Sequence, residues 1–320
     1  MFSDQDDVSL EDESGRIRLV GSSIKKTRLI TGLFLSLLVI YLKYLTIITG
    51  IIIGVLGIEK DAGEFTVLDI CYPGIPSQIN TDRMNEDYQQ TPLVACISGL
   101  QLGSQDKHDE LSRTLLINYL SSETRINRLI ICGNCMSSPV EFKDDKKPRK
   151  FGQDQTQYSS LPATDFDSFL MSVSKYVDVE ILPGPNDPAG TLLPQQSFPK
   201  AMFINTFRNS NDNVRCHTNP TWFSVDNSKF LITSGQTLDD SFRYIESEDR
   251  LGLAIDSLKW RHMAPTAPDT LWCYPFTDKD PFILTECPHV FVNGNQPQFE
   301  TELVNGEFFN ECILKLSTDF

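Results

Sequence analysis

The sequence is short of the residues that most chemistry needs. It has only 4 histidines in 320 residues. His108 and His217 lie in polar stretches, His262 ends a helical pattern, and His289 precedes a strand, so no two have metal-ligand spacing. No serine elbow, P-loop or G-x-G-x-x-G is present. Positive charge is scarce as well: 28 Lys+Arg stand against 43 Asp+Glu, a net charge of −15. Such a surface repels a phosphate backbone, which disfavours direct nucleic-acid binding. The 8 cysteines are too few for a disulfide scaffold. Most sit in apolar runs such as VACIS and LIICGNC, as reduced buried thiols do. Cys132-Gly-Asn-Cys135 has the spacing of a redox pair, but with no second Cys or His pair beside it the motif reads as two core thiols flanking a turn. Asn-X-Ser/Thr sites are also missing, since Asn219-Pro-Thr221 is spoiled by its proline.

What is present is an ordinary globular composition, 40% hydrophobic and 22% charged, in a chain long enough for a substantial core. Residues 1–14 are acidic and Ser-rich. The conspicuous stretch is Leu33–Ile58, interrupted by one charge, Lys43. It is long enough to cross a bilayer, and Lys25, Lys26 and Arg28 precede it, the pattern of a type II membrane protein. A lysine within a lone span costs roughly 2.5–3.5 kcal/mol on insertion scales. The absent glycosylation sites and the reduced cysteines also speak against a lumenal domain. Thr31-Gly32 recurs as Thr49-Gly50, and removing Gly32–Thr49 leaves two β-strands joined at Lys60-Asp61-Ala62-Gly63. Residues 32–49 therefore read as an apolar insertion into a strand, as a retained intron or gene-model error would leave.

Arg16–Val20, Ile51–Leu56 and Phe65–Ile70 read as strands of a small β-barrel with too few strands to close. Residues 79–90 read as a linker. From Thr91 strands and helices alternate. Leu111, Leu115, Leu116 and Leu120 mark the inward face of a helix over Asp109–Leu120. Thr164-Asp-Phe-Asp167 resembles a capping-box start. Trp222–Val225 and Lys229–Thr233 form a hairpin around Asp226-Asn227, and Ser247–His262 a helix. Asp239-Asp240 reads as a turn. Pro265–Phe276 carries too many prolines for a helix and is expected as an ordered loop whose Trp and Tyr pack into the core. Its aromatics are also the candidates for an interface.

Four strand ends share one shape: Val94–Gly103, Leu129–Ser137, Ile181–Gly190 and Phe230–Asp240. A buried strand that stops at a Gly/Pro turn and delivers short polar side chains is the layout of many α/β sites. Gly184-Pro-Asn-Asp-Pro188, Leu193-Pro-Gln-Gln196, Thr218-Asn-Pro220, Thr233-Ser-Gly-Gln236, Trp260-Arg-His262 and Ala264-Pro-Thr-Ala-Pro-Asp-Thr270 stand together in the chain. With Cys287-Pro-His289 and Gly294-Asn-Gln-Pro297, they resemble the small (B, second) subunit family of eukaryotic DNA polymerase delta. The resemblance runs from about Leu10 to Leu303. It breaks at the insert, lacks the first part of the family's OB-fold, and fades after Gly306.

That resemblance implies an α/β (α+β) chain. Residues 1–78 would be a truncated OB-fold barrel interrupted at about 32–49. Residues 91–320 would be an inactive calcineurin-like phosphoesterase domain, two β-sheets flanked by helices. Active phosphoesterases of that superfamily hold two metals on Asp, His and Asn at strand ends. Here those positions fall on Gly99, Gln101, Asn134, Asn186, Ser234, Asn295 and Pro297, and only Asp187 keeps a carboxylate. Glycine, proline and amides are poor ligands for such ions. The resemblance thus implies a non-catalytic nuclear subunit with no cofactor. It would tether the metal-binding C-terminal region of the catalytic subunit and a third, elongated subunit, and meet DNA only through the complex. Two rivals stay open: a membrane protein with a phosphoesterase-like domain, and a divergent enzyme with a relocated metal site.

Overall fold

The computed structural model describes residues 9–12, 15–21, 35–38, 43–47, 51–61, 63–79, 93–103, 107–138, 159–209, 213–245, 247–306 and 309–318. The expected linker at 79–90 lies almost wholly outside them.

The N-terminal sheet contains β1 (Ser9–Asp12), β2 (Gly15–Val20), β3 (Leu35–Leu38), β4 (Lys43–Ile47), β5 (Ile53–Asp61) and β6 (Glu64–Cys71), in the order β1-β2-β6-β5-β4-β3. The strands expected from alternation are β2, β5 and β6. β5 and β6 pair antiparallel, as the Lys60–Gly63 turn predicted. The expectation of too few strands needs correcting. The apolar stretch itself supplies β3 and β4, which pair antiparallel with each other and, through β4, with β5. The sheet curls until β1 lies beside β3 and β4. Leu, Ile, Thr and Tyr suit a pleated ladder, and pairing satisfies backbone groups. Among the described residues no helix is long and apolar enough to cross a membrane. Along β5, Ile53 and Val55 point inward while Leu56 and Ile58 are exposed.

The rest of the chain is built on two sheets. β7 (Leu93–Ile97), β8 (Ile126–Cys132), β9 (Asp178–Leu182) and β10 (Val214–Cys216) form a parallel sheet in the order β10-β9-β8-β7. β11 (Thr221–Val225), β12 (Ser228–Thr233), β13 (Val290–Gln296), β14 (Glu300–Gly306) and β15 (Phe309–Thr318) form the other, in the order β11-β12-β13-β15-β14. β11–β12 is the expected hairpin. The tail after Gly306 is an interior strand, β15, parallel to β13 and antiparallel to β14. Ile130, Cys132, Leu182, Phe230, Ile232 and Val292 fill the space between the sheets.

Helices cover both outer faces, which is why the parallel strands read as unbroken apolar runs. α1 (Lys107–Ser122), α2 (Leu161–Val173) and α3 (Ile204–Asn209) pack on the four-stranded sheet through Leu116, Leu120, Phe166, Leu170 and Phe203. α4 (Gln236–Ser241) and α5 (Arg250–Trp260) pack on the other through Leu238, Leu253 and Leu258. That last core continues into Leu19, Ile53, Val55, Phe65 and Val67 of the N-terminal sheet. α5 begins at Asp249, whose carboxylate accepts the Gly252 N–H at 2.8 Å. It ends at Arg261, in a left-handed conformation with φ 58°.

Several local expectations are corrected. α1 buries Leu116 and Leu120 but leaves Leu111 and Leu115 exposed, because only one stripe of the helix meets the sheet. α2 starts at Leu161 with Pro162 in its first turn, so Thr164 lies inside it. Asp167 instead caps α3, accepting the N–H groups of Asn205 at 3.0 Å and Thr206 at 2.9 Å. Asp239-Asp240 lies within α4 rather than in a turn.

Candidate functional site

β7, β8, β9, β12 and β13 all end on one rim. The backbone there is too tight for side chains. Gly133 has φ 83°, and a Cβ on it would stand 2.6 Å from Ser234 Cβ and 2.9 Å from Gly184 Cα. A Cβ on Gly184 would fall among Asn134 atoms, and one on Gly294 would run into the Cys132 carbonyl. The glycines of these turns are therefore required by close approach of neighbouring loops.

Across the rim runs a mesh of hydrogen bonds. Asp187 is 7% exposed. Its Oδ1 accepts the Met136 N–H at 2.8 Å; its Oδ2 accepts those of Gly184 at 2.8 Å and Cys135 at 3.1 Å. Burial pushes its carboxyl up to about 6, against the pull of those three donors. Asn134, at φ 50°, accepts the Asn186 N–H through Oδ1 at 3.2 Å. The Gln101 N–H donates to the Asn134 carbonyl at 3.0 Å, and the Gly99 N–H to the Gly133 carbonyl at 3.2 Å. Asn295 donates through Nδ2 to the carbonyls of Cys132 at 3.0 Å and Ser234 at 2.8 Å, while its N–H donates to Ser98 Oγ at 2.9 Å.

The centre of the mesh is Asn219, which single-residue reasoning missed. Its Oδ1 accepts the Ser234 N–H at 3.0 Å. Its Nδ2 stands 2.6 Å from each of Gln195 Oε1, Ser234 Oγ and Gln236 Oε1. Gln195 Nε2 donates to the carbonyls of Gly184 at 3.2 Å and Gly190 at 2.9 Å. The signal was present in Leu193-Pro-Gln-Gln196 and Thr218-Asn-Pro220, where amides sit beside prolines.

The structure therefore gathers Gly99, Asn134, Asn186, Asp187, Ser234 and Asn295 on one rim. The Gln101 side chain is exposed at its margin, and Pro297 is exposed beyond the mesh. This donor set does not fit a dinuclear metal centre. The one carboxylate already accepts three backbone N–H groups, and the amides are turned onto one another. Among the described residues, no group of three His, Cys, Asp or Glu side chains comes together with metal-binding geometry.

The other candidate groups have structural partners. Cys132 and Cys135 are fully buried, and burial pushes the Cys135 thiol well above its usual range, the setting of core thiols. His262 Nε2 lies 2.9 Å from Asp280 Oδ2, and its Nδ1 accepts the Ala264 N–H at 3.2 Å. His217 is stacked on Phe223 and bonded to the buried Glu180 at 2.7 Å. His289 Nδ1 accepts the Lys229 N–H at 3.0 Å.

The DNA polymerase alpha/epsilon B subunit family matches residues 94–301, a span that contains every strand end of this rim. The chain belongs to that family. A DNA polymerase delta subunit OB-fold domain matches residues 1–43, which takes in β1 to β3. Among the relatives, the DNA polymerase delta small subunit of Arabidopsis thaliana is 36% identical over 94% of this chain. That of Saccharomyces cerevisiae is 34% identical over 93% of it. A DNA polymerase II small subunit of Thermoplasma acidophilum is 24% identical over 76%. The chain spans 64% of the Arabidopsis relative, 63% of the yeast one and 49% of the archaeal one. Within the family, this chain stands with the delta small subunits, as the motifs around Gly184 and Ala264 implied.

Proposed function

We propose that the chain is a non-catalytic accessory subunit of a nuclear DNA polymerase delta complex. It works by burying surface against the catalytic subunit and a third, elongated subunit. In this reading, residues 1–78 form an OB-fold domain and residues 91–320 a phosphoesterase-like domain that has lost its chemistry. The observation that carries it is the rim. Where a phosphoesterase would hold metals, Asp187, Asn219, Asn134, Ser234 and Asn295 tie five strand ends together. A pocket converted to bracing supports a scaffold rather than a catalyst. The mixed two-sheet architecture with helices on both outer faces supports the phosphoesterase likeness. The net charge of −15 favours basic protein surfaces over DNA as the direct partner.

A stable platform of this kind buries more than roughly 2,000 Å² with its main partner. Co-expression with the catalytic subunit, followed by size-exclusion chromatography, tests the reading. A stoichiometric complex of the two chains supports it. Separate elution of the two chains refutes it.

A further inference from the structure

The loop after α5 holds three large aromatics open to solvent. Trp272 is 65% exposed, Tyr274 57% and Phe276 50%. The expectation that this Trp and Tyr pack into the core is therefore wrong: it is Leu271 and Cys273, between and beside them, that pack against it. Half-exposed rings of this size present roughly 300 Å² of contact surface, as large as the functional patches of typical monomers.

The loop is rigid beneath them. The Leu193 N–H donates to the Trp272 carbonyl at 2.9 Å, and the Tyr274 N–H to the Leu193 carbonyl at 2.8 Å. The hydroxyls of Thr266 and Thr270 both donate to Asp240 Oδ2 at 2.5 Å. The Tyr274 and Phe276 rings meet edge-on, 5.0 Å between centroids. Leu192, 45% exposed, lies next to the backbone bridge. An ordered aromatic surface loses little conformational entropy on binding.

The aromatic run is flanked in sequence by acid. Asp269, which accepts the Tyr244 hydroxyl at 3.1 Å, and Asp278 are exposed, and Lys279 is the one cation between Pro268 and Asp280. A guanidinium suits this combination. It stacks on aromatic faces and pairs with carboxylates in one plane, which an ammonium does not. Trp, Tyr and Arg are also the residues that dominate interface energetics.

We propose that Trp272, Tyr274 and Phe276, with Asp269 and Asp278, form the docking site for an arginine-bearing segment of the polymerase catalytic subunit. The choice of that subunit rests on the function proposed above. The test uses the purified chain and the purified catalytic subunit, with affinity measured by biolayer interferometry. The triple variant W272S/Y274S/F276S binds at least tenfold more weakly, with an unchanged thermal midpoint because all three rings are exposed. D269N/D278N weakens binding several-fold and flattens its salt dependence. Treating the catalytic subunit with an arginine-selective dicarbonyl removes the difference between wild type and triple variant; acetylating its lysines leaves that difference. Wild-type affinity in the triple variant overturns the proposal, as does a patch that instead binds single-stranded oligonucleotide and loses it on the same substitutions. If the wild-type chain does not bind the catalytic subunit at all, the proposed function fails and the docking site falls with it. If it binds and the triple variant matches it, only the docking site falls.

Discussion

The Oδ1 atom of Asp187, on the loop after β9, accepts the backbone N–H of Met136, on the loop after β8, at 2.8 Å. With its other oxygen taking Gly184 and Cys135, this one carboxylate fixes two strand ends against each other. Asp187→Asn replaces one acceptor oxygen with an NH₂ group facing backbone donors. Leaving a buried donor unmatched costs about 1–3 kcal/mol. The expected result is a lower urea midpoint with an unchanged m-value. An unchanged midpoint would show that the carboxylate is dispensable to the brace.

The same side chain gives a pH signature. Burial raises its folded value to about 6, above the unfolded carboxyl. A raised group contributes stability at low pH that is lost as pH rises through the folded value. The stability advantage of wild type over Asp187→Asn therefore shrinks by about 1 kcal/mol between pH 5 and pH 7.5, since a tenfold difference in proton affinity corresponds to about 1.4 kcal/mol. Urea titrations of both proteins at the two pH values measure it. An advantage that grows with pH would contradict the assignment.

Glu180 behaves in the opposite sense. It is 2% exposed and meets Arg128, Arg215 at 2.7 Å and His217 at 2.7 Å. Burial pushes its carboxyl up, but the bonds to His217 and Arg215 prevail and leave it below its usual value. Its contribution is present above the unfolded carboxyl value and is lost as pH falls through the folded one. Glu180→Ala removes the buried acceptor that Arg128, Arg215 and His217 share, while both arginines keep Asp178, and costs about 1–3 kcal/mol. Arg215→Ala, at a side chain half open to water, costs under about 1 kcal/mol. Denaturant unfolding of the two variants tests the contrast, and equal losses would contradict it.

The rim glycines make a further prediction. Gly133→Ala puts a methyl among Ser234 and Gly184 atoms at φ 83° and costs about 2–4 kcal/mol. Gly190→Ala, with nothing within 4 Å and no left-handed backbone, stays within about 0.5 kcal/mol of wild type. Thermal melts of the pair decide it. A neutral Gly133→Ala would show that the rim has room to open.

Much of this was legible in the chain. The strand ends at Gly133, Gly184 and Ser234 announced themselves because Gly and Pro punctuate apolar runs, and β9 followed from Val179–Leu182. Other features depend on tertiary neighbours. Leu111 and Leu115 have helical spacing with Leu116 and Leu120, yet which stripe is buried depends on where the sheet lies. Asp167 looked like a cap for its own helix and serves α3, distant in sequence. The apolar stretch after Leu33 read as a membrane span or an apolar insertion, and only the pairing of β3 with β4 and of β4 with β5 shows strands within it. Trp272 looked like core because it is large and apolar; the bridge to Leu193 turns it outward. Asn219 carried no motif of its own, since an amide hub is defined only by what surrounds it.

A strand-end rim that braces the fold leaves no place for catalytic metals. Metal analysis of the isolated chain after equilibration with excess Mn²⁺ and desalting, alongside a phosphodiester hydrolysis assay, tests this. Substoichiometric manganese and no hydrolysis above the buffer rate are expected. Two manganese ions retained per chain, lost in Asp187→Asn and accompanied by hydrolysis, would contradict it.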